Sequence, residues 1–281
     1  MRYAMIVFLV VLATACKRGP KPANEVIAVE RQQLPASPAE AAWDQTPEHR
    51  AALLPQDQVE PRLLTPTTGE VKVRALANGA EIAIRLEWND DSKSDTPGPA
   101  RMVDACAIQV PATAGKDLPE PQMGQEGRPV QVTYWRADWQ AVVDGRGDTI
   151  RDLYPNASID HYPHEAKSLA PGSDAQKEMA LRYSPARALG NIRGGPRTVP
   201  VEDLIAAGPG TLSPGPSLGA NGKGTHQKDH WSVVIRRKLP DGLSLNQRTH
   251  IAFAVWQGSR GETGARKMRT GWIPLVRRSG S

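Results

Sequence analysis

Val71-Lys-Val-Arg-Ala-Leu-Ala-Asn-Gly-Ala-Glu-Ile-Ala-Ile-Arg-Leu-Glu-Trp88 is the stretch that decides the fold class. Val71 to Leu76 alternates apolar and polar residues, and Glu81 to Trp88 alternates again. Successive side chains of a strand point to opposite faces, so a period of two marks a half-buried strand. Between the runs, Ala77-Asn78-Gly79-Ala80 supplies an Asn-Gly pair, whose tolerance of positive φ suits a tight turn. The stretch therefore predicts an antiparallel hairpin.

Further strands are expected at Ala105–Val110, Val130–Trp135, His230–Arg237, His250–Trp256 and Gly271–Val276. Helix signals are sparse. Val201-Glu-Asp-Leu-Ile-Ala-Ala207, ended by Gly208-Pro209, predicts one or two turns, and Ser173–Leu181 predicts another short helix. The chain has 25 Gly and 25 Pro, which predicts long irregular loops through much of residues 141–229. No internal repeat is visible. Short strands joined by turns and loops predict one all-β domain over residues 41–276, an antiparallel β-sandwich with short helices and long decorating loops.

The ends read differently. Arg2 and the apolar run from Ala4 to Ala15 form a signal peptide over residues 1–15, too short to span a bilayer. Leu12-Ala-Thr-Ala-Cys16 resembles a bacterial lipoprotein box with Cys16 as the lipidated residue, although the leucine lies one place further from the cysteine than usual. The alternative is a plain signal ending near Cys16. Residues 16–40, with Pro20, Pro22, Pro35 and Pro38, read as a flexible linker from that anchor, and residues 277–281 as a tail. The expected location is the periplasmic side of the cell envelope, tethered only by the N-terminal lipid. Lys17 directly after Cys16 gives no aspartate retention signal, which favours the outer membrane over the inner.

Composition excludes several functions. Cys16 and Cys106 are the only cysteines, so there is no disulfide framework, no four-cysteine zinc or iron–sulfur site, and no Cys-x-x-Cys-His for covalent haem. The net charge of +5 is dispersed over places such as Lys17-Arg18 and Arg277-Arg278, without a basic helix, which argues against nucleic acid. Pro163 interrupts His161-Tyr-Pro-His164, His226 and His230 flank a turn, and Asp90-Asp91 read as solvated carboxylates. No nucleophile elbow, phosphate loop or dinucleotide fingerprint is present.

Two segments rise above this background. Pro121-Gln-Met-Gly-Gln-Glu-Gly-Arg-Pro-Val-Gln-Val-Thr-Tyr-Trp-Arg-Ala-Asp-Trp139 places Met123 on a glycine-flanked turn before a strand carrying Tyr134 and Trp135. A thioether in such a place suits a soft metal or a porphyrin iron, while a methionine filling a core gap is the plainer possibility. Ile251-Ala-Phe-Ala-Val-Trp256 is an apolar strand that runs into a glycine-rich loop ending on Lys267.

Together these segments resemble the haem b (gamma) subunit of the type II dimethyl sulfoxide reductase family of respiratory molybdenum enzymes, the ethylbenzene dehydrogenase-like haem-binding domain. The resemblance spans roughly residues 41–276. Ala42-Trp43-Asp44, Arg85-Leu-Glu-Trp88 and Asp104-Ala-Cys-Ala-Ile-Gln-Val-Pro111 look like further landmarks, with Tyr154-Pro155-Asn156 and Asp203 to Gly208 weaker ones. It departs from the family in two respects: Phe253 is the only phenylalanine outside the signal, and a lipid anchor is not typical of such a subunit.

The resemblance implies non-covalent haem b, with Met123 and Lys267 as the axial ligands of the iron. Tyr134 and Trp135 become candidate pocket walls, and Arg128 or Arg136, from their nearness in sequence, candidate partners for the propionates. With both axial positions filled by protein, the implied task is electron transfer without a catalytic site of its own. The implied partners are a molybdenum-containing catalytic subunit and an iron–sulfur subunit, or a soluble cytochrome. The alternative is a haem-free, lipid-anchored β-sandwich module that binds a small ligand or an envelope protein.

Overall fold

The computed structural model describes residues 24–115, 117–158, 170, 172–183, 195–246 and 248–278. Expectations for the signal, Cys16, His161 and His164 lie outside the described residues. The strands are β1 (Val26–Glu30), β2 (His49–Ala52), β3 (Leu54–Pro55), β4 (Glu70–Ala77), β5 (Glu81–Asn89), β6 (Ala105–Pro111) and β7 (Val130–Arg136). Three helices follow, α1 (Ala137–Val143), α2 (Ile150–Leu153) and α3 (Asp174–Tyr183). The remaining strands are β8 (Val201–Ala206), β9 (Ser213–Pro214), β10 (Asn221–Gln227), β11 (His230–Lys238), β12 (Thr249–Trp256), β13 (Met268–Arg269) and β14 (Ile273–Arg278). Among the described residues no helix is long and apolar enough to cross a membrane.

The expected hairpin is β4–β5. Its register runs from Ala77 opposite Ile82 to Lys72 opposite Glu87, Gly79 takes φ +88° at the turn, and the Asn78 side-chain oxygen accepts from the amides of Ala80 and Glu81. Around it one layer forms in the order β10-β11-β5-β4-β1-β14, with β2 also on β4. A second layer runs β12-β6-β7-β8-β9, extended on the other side of β12 by β13 and β3. The two are joined through β12: its Thr249–Ile251 part pairs with β14, while Ala252–Trp256 pairs with β6. The result is an all-β sandwich with few, short helices.

The core lies between the layers. Ile82, Ile84, Leu86 and Trp88 of β5 meet Cys106, Ile108 and Val110 of β6, Trp135 of β7 and Ile251, Phe253 and Val255 of β12. Trp231 stacks on Trp88 at 6.4 Å between centroids and takes the edge of Trp135 at 5.1 Å. Gly224 is required here, because a Cβ at that position would sit 2.2 Å from the Trp135 ring.

Several expectations are corrected. Val201–Ala206 is a strand, not a helix; its apolar residues at 201 and 204 mimic helical spacing, but pairing along β7 satisfies its backbone. Residues 26–30, expected within the flexible linker, form a buried strand parallel to both β4 and β14, so the sandwich is not wholly antiparallel. Arg277 and Arg278, expected in the tail, belong to β14, and Arg277 pairs with Glu30 at 2.5 Å. The 141–229 region holds β8, β9 and β10 besides loops. Asp90 is buried, whereas Asp91 is exposed. The short helix expected at Ser173–Leu181 is present as α3.

The outer face of the second layer is unusual for a sandwich. Ala105, Ala107, Val130, Val132, Leu204, Ala206, Ala254 and Trp256 make it apolar, and Met123, Tyr134 and Trp272 pack against it. Such a face calls for a cover or a ligand.

Candidate functional site

The site is built on that outer face. On β12, Ala252, Ala254 and Trp256 alternate with the core residues Ile251, Phe253 and Val255. On β6, Ala107 and Gln109 alternate with Cys106, Ile108 and Val110 in the same way. The alanines leave a flat floor, and a cavity of about 320 Å³ stands over it. This is within the size range of small-ligand and cofactor sites.

Met123 enters from the β7–β8 side. Its φ of +73° is left-handed, a conformation that costs a non-glycine residue about 1–3 kcal/mol and persists only where neighbours enforce it. The neighbours are evident: Met123 O accepts from Gly208 N, Gly124 N donates to Glu120 O, and Gln109 Nε2 donates to Pro121 O. The Gly124 position, at φ +75°, favours glycine, since a Cβ would be crowded at 3.0 Å from the Ala206 and Arg128 carbonyl oxygens. The turn is thus fastened to floor and wall together.

Lys267 enters from the opposite side, at the end of the loop after β12. Trp256 Nε1 donates to Gly264 O, Gln56 Nε2 donates to Ala265 O, and Gln56 N donates to Lys267 O. Within the loop the Glu262 carboxylate accepts from Gln257 N and from the Thr67 hydroxyl. Met268 points into the core, so the period of two turns Lys267 and Arg269 toward the cavity. Lys267 Nζ lies 3.7 Å from Met123 Sδ and 5.2 Å from the Trp256 ring centroid. Burial, helped by the nearby charge of Arg269, holds the Lys267 ammonium down to about 8. Two residues 144 positions apart in sequence thus bring a thioether and an easily deprotonated amine together over an apolar floor.

Tyr134 lines the cavity as expected, meeting Trp256 edge-on at 5.1 Å and Trp139 at 5.7 Å. Trp135 does not. As its immediate neighbour on a strand it must face the other way, and it is fully buried between the layers, donating from Nε1 to Gln140. Arg128 also lies elsewhere: it is exposed in the Gln125–Arg128 turn and its guanidinium donates to Leu118 O at 3.4 Å. Arg136 does line the cavity but is held by both oxygens of Asp138, at 2.9 and 2.8 Å. Sequence reasoning missed Trp256 and Arg269 as site residues, although alternation along β12 and from Lys267 through β13 marks both.

The donor set fits a haem. Among the described residues no group of three or more His, Cys, Asp or Glu side chains is placed to hold a metal, so the Met–Lys pair is the candidate. None of the cavity-lining residues is acidic, while Lys267, Arg269 and Arg136 bring positive charge. A flat apolar body carrying carboxylates suits that surface.

The chain is similar to the "Putative respiratory nitrate reductase heme subunit ORF7" of Haloferax mediterranei, 26% identical over 96% of this chain and 80% of the relative. Two solved structures of a family 9 carbohydrate-binding module from Caldicellulosiruptor kristjanssonii, with cellotriose and with glucose, superpose with TM-scores of 0.40 and 0.37. They are 9% and 8% identical and cover 91% of this chain and 94% and 96% of their own. The ethylbenzene dehydrogenase family matches residues 40–268, a span that holds both Met123 and Lys267, and the chain belongs to that family.

Proposed function

We propose that this chain is a haem b-binding electron-transfer protein, the haem subunit of, or a carrier for, an exported molybdenum and iron–sulfur oxidoreductase. The observation that carries the reading is the approach of Lys267 Nζ and Met123 Sδ over the alanine floor. The family match and the heme-subunit relative support it. Lys267 would hold the iron as a neutral amine, and desolvation in this pocket already weakens its hold on a proton. Met123 would supply a second ligand from a turn that fixes its direction. When bound, the haem would supply a one-electron couple. Tyr134 and Trp256 would wall the ring and exclude water.

The reading carries no catalytic residue of this chain. Its partners would be a molybdenum-containing catalytic subunit and an iron–sulfur subunit, or a soluble cytochrome. The chain would work on the periplasmic side of the envelope, held by lipid on Cys16, in the outer membrane rather than the inner.

The test is the visible spectrum of the full chain produced with adequate haem. A low-spin haem that releases by acid–acetone extraction is expected, and Met123→Ala and Lys267→Ala should each change the spin state or lose the haem. No Soret band in the wild type would instead favour a haem-free binding module.

A further inference from the structure

Arg269 lines the cavity beside Lys267. It follows Lys267 on the same face of the chain, because the intervening Met268 is fully buried in the core. Its register places it opposite Ala254 on the cavity floor and Leu54 of β3. Its Nε is buried and has no hydrogen-bond partner among the described residues. A charged donor withdrawn from water without an acceptor is costly, and in native proteins such groups are generally satisfied by something. The cavity offers it no carboxylate, since no lining residue is acidic. Arg136, the other lining arginine, already has its acceptor in Asp138. Arg269 also adds its charge to that of Lys267 nearby, so the cavity holds positive charge that its own walls do not balance.

We propose that Arg269 is the carboxylate anchor of the cavity: its guanidinium takes an acid group at the edge of a flat apolar ligand, in haem one of the propionates. This rests on the haem reading for the identity of the ligand. The guanidinium fork suits a carboxylate in two-point contact, and such charge-assisted pairs gain most where water is excluded. Anchoring at Arg269 would also fix how the ring is turned within the cavity. Arg128, nearest to Met123 in sequence, lies outside the cavity and has no part in it.

The experiment titrates full-length apoprotein with haem b and, separately, with its dimethyl ester, each followed by the Soret band. Wild type should bind the diacid about 10- to 100-fold more tightly than the diester. Arg269→Gln should lose that preference by weakening diacid binding alone, and Arg269→Lys should restore part of it. Equal wild-type affinity for both porphyrins, or a preference that survives in Arg269→Gln, overturns the assignment while leaving the haem reading standing. No Soret band with either porphyrin in wild type overturns the haem reading, and the anchor with it. The wild-type comparison needs no variant, so equal affinities overturn the anchor even if Arg269→Gln fails to fold, and a diacid preference kept in part by Arg269→Lys while lost in Arg269→Ala would then carry it.

Discussion

Tyr134 and Trp135 are neighbours in sequence and serve opposite sides of the same sheet. Tyr134 faces the cavity, and Trp135 is wedged between Trp231 and Gly224. Trp135→Ala is therefore expected to cost about 3–5 kcal/mol of folding stability, as large core truncations do. Tyr134→Ala should cost clearly less stability and weaken haem binding instead. Denaturant unfolding beside a haem titration separates the two; equal stability losses would contradict the facing described. Gly224→Ala should also destabilise, by about 1–3 kcal/mol as over-packing does, because the added methyl meets Trp135 directly. At this scale the sequence placed Met123, Lys267 and Tyr134 in one site. Trp135 departs from it because a strand turns adjacent aromatics to opposite faces, and Arg128 because nearness in sequence says nothing about facing.

The β4–β5 hairpin and the strands at 105–111, 130–136, 230–238 and 249–256 were legible because alternation and turn residues are local signals. β1 was not. Val-Ile-Ala-Val is apolar on both faces and sits among prolines, and only its distant partners β4 and β14 make it a strand. β8 was misread for a similar reason, its six residues owing their form to β7. The parallel pairing of β1 has a testable consequence. Compared with a chain beginning at Glu25, one beginning at Gln32 leaves edges of β4 and β14 open. It should melt markedly lower and self-associate, as exposed strand edges do. Unchanged melting on removal of Val26–Glu30 would contradict the role given to β1.

Across the whole molecule, buried carboxylates make stability depend on pH. Asp104 accepts from Ser94 N, Gly258 N and Trp231 Nε1, tying together the loop after β5, the loop after β12 and the core. Burial, with the nearby Asp90 charge, pushes its carboxyl up to about 7 despite those donors. Asp90 and Glu262 are also raised, each mainly by burial. Between about pH 4, where these carboxyls titrate once unfolded, and about 7, where Asp104 titrates in the fold, the three carboxyls hold more protons in the folded chain, outweighing His250, which burial and Arg248 push the other way. The stability of the fold should therefore fall as pH rises through that window. Asp104→Asn should flatten this dependence and lower stability by about 1–3 kcal/mol, since an amide cannot serve all three donors as well. Melting temperature measured against pH for both proteins checks it, and a stability rising over that window would contradict it. The same inter-layer ties fix the loop that ends on Lys267, so the site depends on the entire sandwich and not on its two donors alone. The most direct test of the central claim is the low-temperature spectrum of the haem-loaded wild type beside Met123→Ala and Lys267→Ala. Low-spin signals that change in both variants are the expected result. A wild-type spectrum that both variants reproduce unchanged would contradict the assignment of the iron site.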